Sequence, residues 1–259
     1  PLAELRASGQ PLVTIGQVHG EMPFMGGSAR VPQDFFDFVL ENPRQERRLF
    51  CPPNPSLASV DHAIGMHASA LLRDGGTLQI GIGELGDAIC YALLLRHQQN
   101  DSWQQALRDI GTERFAAVVD ACGGREPFSE GLFGATEMFV DQMLDLHRAG
   151  ILRRRVYDSL PLSRLIASGN ISDRFDARIL EDLIHVGVGP RLTAQEFAEL
   201  QRFGVFRQDC RYDRGRIRAP DSDWIDANLD DAAARFALAQ ACIGRELRNG
   251  HVLHAGFFL

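Results

Sequence analysis

The chain has 259 residues, of which 45% are hydrophobic and 24% charged, so it can bury a core as one large or two small globular domains. Its formal net charge of −7 argues against a nucleic-acid-binding protein, which normally carries a basic surplus. No apolar run approaches the ~20 residues of a membrane-spanning helix, so no membrane partner is predicted. All 27 basic residues are arginine. The absence of lysine excludes from this stretch Walker-type NTPases, protein kinases, Schiff-base aldolases and pyridoxal-phosphate enzymes.

Cysteine and histidine give no sign of a metal site. The five cysteines are scattered and form no C-x-x-C pair: Cys51, Cys90, Cys122, Cys210 and Cys242. This usage is typical of reduced thiols and predicts a cytoplasmic protein, with neither a disulfide framework nor a zinc site. His62 and His67 are spaced too widely to share a helix face, and His251 and His254 have no carboxylate neighbour in the sequence.

Both ends of the chain predict a fragment of a longer protein. The beginning, PLAELRASGQPLVTIG, starts with proline and lacks the regions of a signal peptide. The end, HVLHAGFFL, stops within an apolar run that has no polar tail.

Residues 1–55 are predicted to be a separate part. Leu12–Val18 is suited to a strand, and the aromatic segment Asp34–Leu40 to one or two helical turns. The proline cluster Cys51–Pro55, CPPNP, predicts an extended linker, and we place the main domain boundary there.

From Ser56 onward the pattern alternates between strands and helices. A first helix has Val60, Ile64, Ala68 and Leu71 on one face and closes at Asp74-Gly75-Gly76. Strands are predicted at Thr77–Ile82, Phe115–Val119, Gly131–Ala135, Arg153–Tyr157 and Ile184–Val188. Further helices are predicted at Asp87–His97, from a capping box at Ser102–Gln105, at Leu160–Ala167, from a capping box at Thr193–Glu196, and at Asp230–Arg248. The segment DCRYDRGRIRAPDSD predicts a hairpin or surface loop. This alternation of strands and helices predicts an α/β fold, with an open, mostly parallel sheet covered by helices on both faces.

The stretch Gly131–Gly150, GLFGATEMFVDQMLDLHRAG, contains a candidate functional acid. Thr136 is a plausible helix N-cap, which would place Glu137 in the first turn of a helix at the tip of a strand. Ligands of open α/β sheets bind at the carboxyl edge, where this acid would lie. First-turn acids also stabilise helices without any further function, and the local sequence favours that interpretation.

The run Gly81-Ile82-Gly83-Glu84-Leu85-Gly86 fits G-x-G-x-x-G between a predicted strand and helix. A dinucleotide-binding loop also needs an acid at the end of the next strand, about 20 residues on. Asp101 lies in a helix-opening segment and Asp120 is too far away, so a dinucleotide-dependent oxidoreductase is a distant alternative. The same turn can bind an oxyanion through its N–H groups, or can simply pack a helix against a strand.

Two other features have mainly structural interpretations. Arg153-Arg154-Arg155 could contact phosphates, but complementing a helix C-terminus is the favoured interpretation. No G-x-S-x-G elbow is present, and Ser28 has no assigned base, so acyl-serine chemistry is unsupported.

Three motifs together resemble the acetyl-CoA hydrolase and CoA-transferase family. Asp74–Leu93, DGGTLQIGIGELGDAICYAL, is similar to that family's DGATLQLGIGAIPDAV segment. Gly131–Gly150 is similar to its GIHTEMxSDGxxDLxxAG segment, and EMPFMGG, with Gly26 and Gly27, to its NMPRTxG segment. The motifs occur in the family's order, and the resemblance covers most of Ile15–Asp158.

The resemblance implies a role for each matched residue. Glu137 matches the nucleophile, which attacks an acyl-CoA thioester and passes through an acyl-glutamyl anhydride to a glutamyl-CoA thioester. Gly81, Ile82 and Gly83, with Gly26 and Gly27, would bind substrate and coenzyme A. The implied partners are an acyl-CoA and a small carboxylic acid, with coenzyme A as substrate, no permanently bound cofactor, and a homodimeric assembly. Residues 1–55 would be the tail of an N-terminal CoA-transferase domain plus the linker, and 56–259 an incomplete C-terminal domain.

The chain departs from the family pattern at several positions. Ala135 replaces the histidine usual before TE, Gln142 replaces a glycine, and Glu84-Leu85-Gly86 stands where AIP is common. The glycine-rich GxGGQxDF segment is missing. The substitutions predict a subgroup with a different acid pocket, and the missing segment leaves open an inactive acyl-CoA-binding fragment. Water attack on the anhydride would make the same glutamate that of an acyl-CoA hydrolase, which is a further alternative.

Overall fold

The computed structural model describes residues 2–22, 24, 29–45, 47 and 56–258. The chain divides into two compact units, Pro1–Pro53 and Asn54–Phe258. Gly26, Gly27, Ser28, Cys51 and the predicted linker lie outside the described residues. The assignment of either unit to a CoA-transferase domain stays a prediction.

The first unit contains helix α1 (Leu2–Ala7) and two short parallel strands, β1 (Ile15–Gln17) and β2 (Phe38–Leu40). The predicted helix at Asp34–Leu40 is wrong beyond its first turn, because only Gln33–Phe35 forms a 3-10 turn and β2 follows. Hydrogen bonds between Thr14 and Asp37 hold this segment in an extended conformation. The Asp37 carboxylate accepts hydrogen bonds from the Thr14 backbone N–H at 2.7 Å and the Thr14 hydroxyl at 2.8 Å, which draws this segment beside β1.

The second unit is organised around a three-stranded parallel sheet in the order β3–β4–β8. The strands are β3 (Thr77–Gln79), β4 (Phe133–Phe139) and β8 (Leu253–Phe258). Both pairings are parallel. The prediction of an α/β fold with open, parallel sheets is therefore confirmed, and the strands at 77 and 131 are found where expected.

Five helices precede, connect or follow the first two strands of this sheet in the chain. Their bounds are α2 (Ser59–Ala70), α3 (Glu84–Gln98), α4 (Asn100–Asp109), α5 (Ala116–Cys122) and α6 (Asp141–Arg148). The predicted strand Phe115–Val119 is wrong, because a 3-10 turn, Thr112–Phe115, leads directly into α5. The predicted capping box at Ser102 is also wrong, because α4 begins at Asn100.

The predicted buried face of α2 is exposed. Val60 and Ile64 are 62% and 43% exposed, and Leu71 is also exposed. The helix instead buries its small residues, Gly65, Ser69 and Ala70, together with Met66. Small side chains allow α2 to lie close to its neighbours. The helix therefore buries the face with the small residues and exposes the face with the larger aliphatic residues.

The remaining elements form a helical region with its own small sheet. The helices are α7 (Leu160–Ala167), α8 (Ile179–His185), α9 (Ala194–Arg202) and α10 (Ala232–Ala241), and the strands are β5 (Arg211–Asp213), β6 (Arg216–Arg218) and β7 (Ile225–Asp226). The predicted helix at Leu160, the Thr193 capping box and the hairpin are confirmed. The predicted strand Ile184–Val188 is wrong, because α8 occupies most of it. Arg153–Tyr157 forms only isolated bridges, and the predicted helix Asp230–Arg248 ends at Ala241.

The hydrophobic core of the second unit has three clusters. One lies under the parallel sheet and includes Leu78, Leu132, Met143 and Leu152. A second joins α2, α3 and α4 around Trp103. The largest lies within the region 157–247 and includes Phe203 and Phe206.

Asp74 fixes the entry to the sheet by accepting hydrogen bonds from a loop distant in sequence. Its carboxylate accepts from the backbone N–H groups of Ser129, Glu130 and Gly131 at 2.7, 2.9 and 2.8 Å, and from the Ser129 hydroxyl at 2.7 Å. Partial burial would raise the pKa of Asp74, but these hydrogen bonds outweigh it and lower the pKa to about 2.

This lowered pKa predicts an acid-sensitive contribution to stability. The contribution is complete above the pKa of an unfolded aspartate, about 3.9, and is lost as the pH falls through about 2. We expect Asp74→Asn to lower the free energy of unfolding at pH 7 by about 2 kcal/mol, because charge-assisted bonds are lost. The difference from wild type should shrink between pH 4 and pH 2 in urea titrations. Asp158→Asn, an exposed aspartate, is the control; a constant difference across that range would contradict the assignment.

Arg96 is a second buried polar anchor, with a side chain only 1% exposed. Its guanidinium donates to the carbonyls of Ser69 at 2.9 Å, Leu72 at 2.7 Å and Glu126 at 2.9 Å. It also lies 4.4 Å from the Phe128 ring centroid and 5.4 Å from that of Trp103. Burial lowers the pKa of Arg96 to about 10, so the side chain stays charged at neutral pH. Arg96 therefore joins α2, α3, α4 and the loop before β4 through one cation.

Candidate active site

Glu137 lies within strand β4 and not in the first turn of a helix. The strand continues from Phe133 to Phe139, and α6 begins only at Asp141, with Val140 at its N-cap. The predicted N-cap role of Thr136 is therefore wrong, because its hydroxyl donates to the Met138 carbonyl at 2.8 Å inside the strand. Glu137 is nevertheless exposed, at the carboxyl end of the central strand.

The side chains of the sheet alternate between a buried and an open face. Leu78, Gly134 and Thr136 are buried on the core side. Alternation places Ala135 and Glu137 on the opposite face, together with the residues that pair with Ala135. Those partners are Gln79 on β3 and His254 on β8, both exposed. The open face thus brings an amide, an imidazole and a carboxylate to neighbouring positions.

Gly256 occupies the position beside Glu137 on the neighbouring strand β8. On β8 the pairs Thr136↔Ala255 and Met138↔Phe257 place Gly256 opposite Glu137. A Cβ atom on Gly256 would lie 3.1 Å from the Glu137 carbonyl oxygen, which is tighter than ordinary packing. On the other side, β3 ends at Gln79, which pairs with Ala135, and Gly81 follows two residues later in the turn that leads to α3. Gly256 therefore allows β8 to pass close to the backbone of Glu137.

The glycine turn connects β3 directly to α3. Gly83 is the N-cap of α3, with φ +111°, a backbone conformation that favours glycine, and no side chain caps the helix there. A Cβ atom on Gly81 or on Gly83 would meet no heavy atom within 4 Å. Gly86 packs against the Gly81 carbonyl and keeps the helix close to the strand end. The predicted site residues Gly81, Ile82 and Gly83 thus lie at the same sheet edge as Glu137.

The rim of this edge is apolar and acidic. Ile82 and Leu85 are exposed beside the turn. Glu84 and Asp87 lie in the first turn of α3, where burial and then the Glu84 charge raise the pKa of Asp87. At neutral pH a glutamate side chain is ordinarily ionised, so a glutamate nucleophile can attack an electrophilic carbonyl without first losing a proton. Backbone N–H groups at a helix N-terminus can stabilise the oxyanion that develops.

Other candidate residues are engaged elsewhere. Arg154 donates to the Gly76 carbonyl at 3.1 Å and the Thr77 hydroxyl at 2.8 Å, at the amino end of β3 and therefore at the edge opposite Glu137. Arg153 donates to the Phe128 and Ser129 carbonyls, and Arg155 pairs with Asp173 at 3.5 Å. These contacts are structural, but none of them is to a helix C-terminus, so they do not bear out the predicted role of complementing one. A cavity of about 690 Å³ that they line does not include Glu137.

The acid required by a dinucleotide-binding loop is not at a strand end. Asp101 lies in α4, and Asp120 lies in α5, where a strand had been predicted. The glycine turn is therefore a strand-to-helix connection without its dinucleotide companion at either position.

The residues that the structure describes contain neither a metal-binding cluster nor a membrane-spanning helix. Within those ranges, no group of three or more histidine, cysteine, aspartate or glutamate side chains could hold a metal ion. In the same part of the chain, no helix is both long and apolar enough to cross a membrane.

Comparison with known proteins gives a partial similarity. No protein-family model matches the chain. The 4-hydroxybutyrate coenzyme A transferase of Clostridium kluyveri is 32% identical over 88 residues. That alignment covers 34% of this chain and 19% of the relative, so the chain spans only a small part of that protein's length. A solved structure of a RipA mutant covers 53% of this chain and 24% of its own, with 22% identity and a TM-score of 0.35. A TM-score this low does not establish a common fold.

Proposed function

We propose that the chain carries the nucleophile of a coenzyme A transferase, which moves coenzyme A from an acyl-CoA to a carboxylic acid. The observation that carries this proposal is the exposed Glu137 carboxylate, which lies opposite Gly256 at the sheet edge where the Gly81–Gly83 turn leads from β3 into α3. The partial similarity to a coenzyme A transferase supports the same class of reaction.

The proposed reaction proceeds through two covalent states of Glu137. A carboxylate oxygen attacks the thioester carbonyl, the carbon–sulfur bond breaks, and an acyl-glutamyl anhydride and coenzyme A thiolate form. The thiolate then attacks the glutamyl carbonyl, a carbon–sulfur bond forms, the anhydride carbon–oxygen bond breaks, and the acyl group leaves as a free carboxylate. A second carboxylate reverses both steps, so no proton is gained or lost overall.

The surrounding groups would serve this chemistry in different ways. N–H groups of the Gly81–Gly83 turn would stabilise each tetrahedral oxyanion, because they are fixed in place before the reaction. Exposed Ile82 and Leu85 would contact the apolar part of the acyl group. The acidic first turn of α3 opposes binding of an anion, so contacts to the remote coenzyme A portion must supply the binding energy.

A covalent adduct tests the proposal directly. The chain is mixed with acetyl-CoA, quenched in acid, and examined by intact mass spectrometry and peptide mapping. We expect coenzyme A to be attached at Glu137. Bound acetyl-CoA without any adduct would contradict the transfer mechanism and would instead support an acyl-CoA-binding fragment.

Hydrolysis of acyl-CoA is the second candidate function, and the open sheet face favours it. Glu137 is exposed, so water can reach an anhydride formed there. His254 lies on the same face, paired with Ala135 one diagonal step from Glu137, within reach of long side chains. An imidazole in that position could take a proton from the attacking water.

We expect His254→Gln to slow the release of free acid by water on the order of 10²-fold, because general-base assistance is lost. Formation of the coenzyme A adduct should be unchanged. Products are quantified with and without an acceptor acid such as acetate. His185→Gln, at an exposed histidine of α8, is the control. Equal loss of adduct formation and hydrolysis would contradict a role limited to water.

A homodimeric assembly and a cytoplasmic location stay predictions from the sequence. The same is true of Gly26 and Gly27 as binding residues, since they lie outside the described residues.

A further inference from the structure

The outer face of the β5–β6 hairpin carries four charged side chains. Ile217 is fully buried in the core, so its neighbours on β6, Arg216 and Arg218, point to the opposite face. The antiparallel register places Asp213 directly opposite Arg216, and Arg211 directly opposite Arg218. Residues that face each other across two strands share one face of the sheet. Two charged pairs therefore lie side by side on this face.

The two pairs differ in their charges. Arg216 has an aspartate opposite it on both neighbouring strands, Asp213 on β5 and Asp226 on β7. Arg211 and Arg218 instead form a pair of like charges, and such a pair destabilises a sheet. Within the parts of the chain that the structure describes, neither of these two guanidinium groups forms a hydrogen bond or an ion pair. The hairpin thus compensates its charges near the turn and leaves them uncompensated at its open end.

A cavity of about 530 Å³ opens at the uncompensated pair. Arg211 and Arg218 both line it, together with the loop residues Asp209 and Pro220. The Asp209 carboxylate is occupied by Arg207, whose Nε and Nη2 donate to its two oxygens at 3.0 and 2.6 Å. The acid in the cavity wall therefore leaves the paired arginines without a counter-charge. The volume lies in the range of small-molecule sites, about 300–1,000 Å³.

An aromatic ring holds one of the two arginines in place. The Arg218 side chain is half-buried, and its guanidinium carbon lies 4.8 Å from the centroid of the Trp224 ring. A cation–π contact of this kind restricts the guanidinium before any ligand arrives. A group that is already ordered loses less conformational entropy when it binds. Arg211 is exposed on the other side of the cavity entrance.

We propose that Arg211 and Arg218 form a binding site for the phosphate or diphosphate group of a small molecule. Each planar guanidinium can donate two parallel hydrogen bonds to phosphate oxygens. A phosphate group carries close to two negative charges at neutral pH and can offset both arginines, whereas a single carboxylate can offset only one. The site contains no residue of the proposed acyl-transfer site, so it does not depend on the proposed function.

The like-charge pair also predicts a change in stability. Without a ligand, Arg211→Gln is expected to raise the melting temperature by about 1–3 °C, because the repulsion across the strands is removed. Pyrophosphate should raise the melting temperature of the wild-type chain and should have little effect on the variant. A residue that served only the fold would show the reverse, with a lower melting temperature in the variant.

Isothermal titration calorimetry of the whole chain with pyrophosphate tests the site, at an ionic strength fixed with sodium chloride. We expect wild-type protein to bind, and Arg211→Gln and Arg218→Gln each to raise the dissociation constant on the order of 10-fold or more. The matched control is Arg214→Gln, at an exposed arginine in the turn of the same hairpin that does not line the cavity. It removes the same charge and should leave the dissociation constant nearly unchanged.

Absence of pyrophosphate binding to the wild-type chain would overturn the proposal. Equal weakening in all three variants would overturn it as well, because it would show a general effect of charge. Arg211→Gln replaces an exposed side chain, so it decides the test even if Arg218→Gln fails to fold.

A competition experiment identifies the source of the phosphate group. Displacement of pyrophosphate by coenzyme A would assign the site to the phosphates of coenzyme A, and lack of displacement would assign it to a separate phosphate ester. Both titrations are made without an acyl-CoA, so failure of the covalent reaction at Glu137 and failure of phosphate binding are observed separately.

Discussion

Glu137→Gln is expected to abolish the coenzyme A adduct and to lower acyl-CoA turnover on the order of 10⁴-fold or more. The glutamine amide keeps the size of the side chain but is not a nucleophile, and removal of a covalent nucleophile is among the most damaging changes to an enzyme. Turnover is measured with acetyl-CoA by release of free thiol, and the adduct by intact mass. Because Glu137 is exposed on the sheet, the variant should fold normally, and its melting temperature should match that of wild type.

The matched control is Glu113→Gln, an exposed glutamate in the 3-10 turn before α5. It changes the net charge equally and should leave both readouts unchanged. Retention of turnover in Glu137→Gln would rule out covalent catalysis by this residue. If turnover were lost together with the melting transition, the loss would reflect unfolding, and Glu137→Asp would then separate position from stability.

Arg96→Met is expected to lower the free energy of unfolding by about 3–5 kcal/mol. The substitution preserves much of the side-chain volume but leaves the carbonyls of Ser69, Leu72 and Glu126 without their donor. It also removes the cation between Phe128 and Trp103. Arg96→Lys should cost less, because an ammonium can satisfy some of the same carbonyls. The midpoint and slope of denaturant unfolding, followed by tryptophan fluorescence, give the measurement.

Arg108→Met provides the comparison for Arg96. Arg108 is exposed on α4 and, among the described residues, donates to the Gln105 side chain, so its replacement should change the free energy of unfolding by less than about 0.5 kcal/mol. Equal effects at the two positions would mean that the buried hydrogen bonds of Arg96 contribute no net stability.

The sequence was informative where local chemistry decides the structure. The capping box at Thr193 and Glu196 forms because both partners lie within one turn. The glycine turn at Gly81–Gly83 is found because strand, turn and helix follow each other directly. The strands predicted at Phe115–Val119 and Ile184–Val188 were wrong because a short apolar run fits a buried helix as well as a strand. Only tertiary packing distinguishes the two.

For the candidate site as well, the local sequence was informative, whereas the tertiary geometry could not be predicted from it. Glu137 and the glycine turn were singled out from the local sequence, and the resemblance between motifs then implied their roles. The predicted position of Glu137 in the first turn of a helix was wrong. A threonine followed by an acid can begin a helix, but the same residues can also continue a strand. Here the pairing of β4 with β8 extends the strand to Phe139. His254 could not be linked to Glu137 from the sequence, because the register of two distant parallel strands leaves no local signal.

The position of β8 also determines when the site can form during folding. In the chain, the segment α3–α5 separates β3 from β4, whereas the longer segment α6–α10 separates β4 from β8. Parallel pairings of such long range are slow, because the intervening chain must be ordered before the contact is gained. The face that contains Glu137 and His254 is therefore expected to assemble last, after the Trp103 cluster has already become compact. Recovery of catalysis should lag behind recovery of the core when the chain refolds.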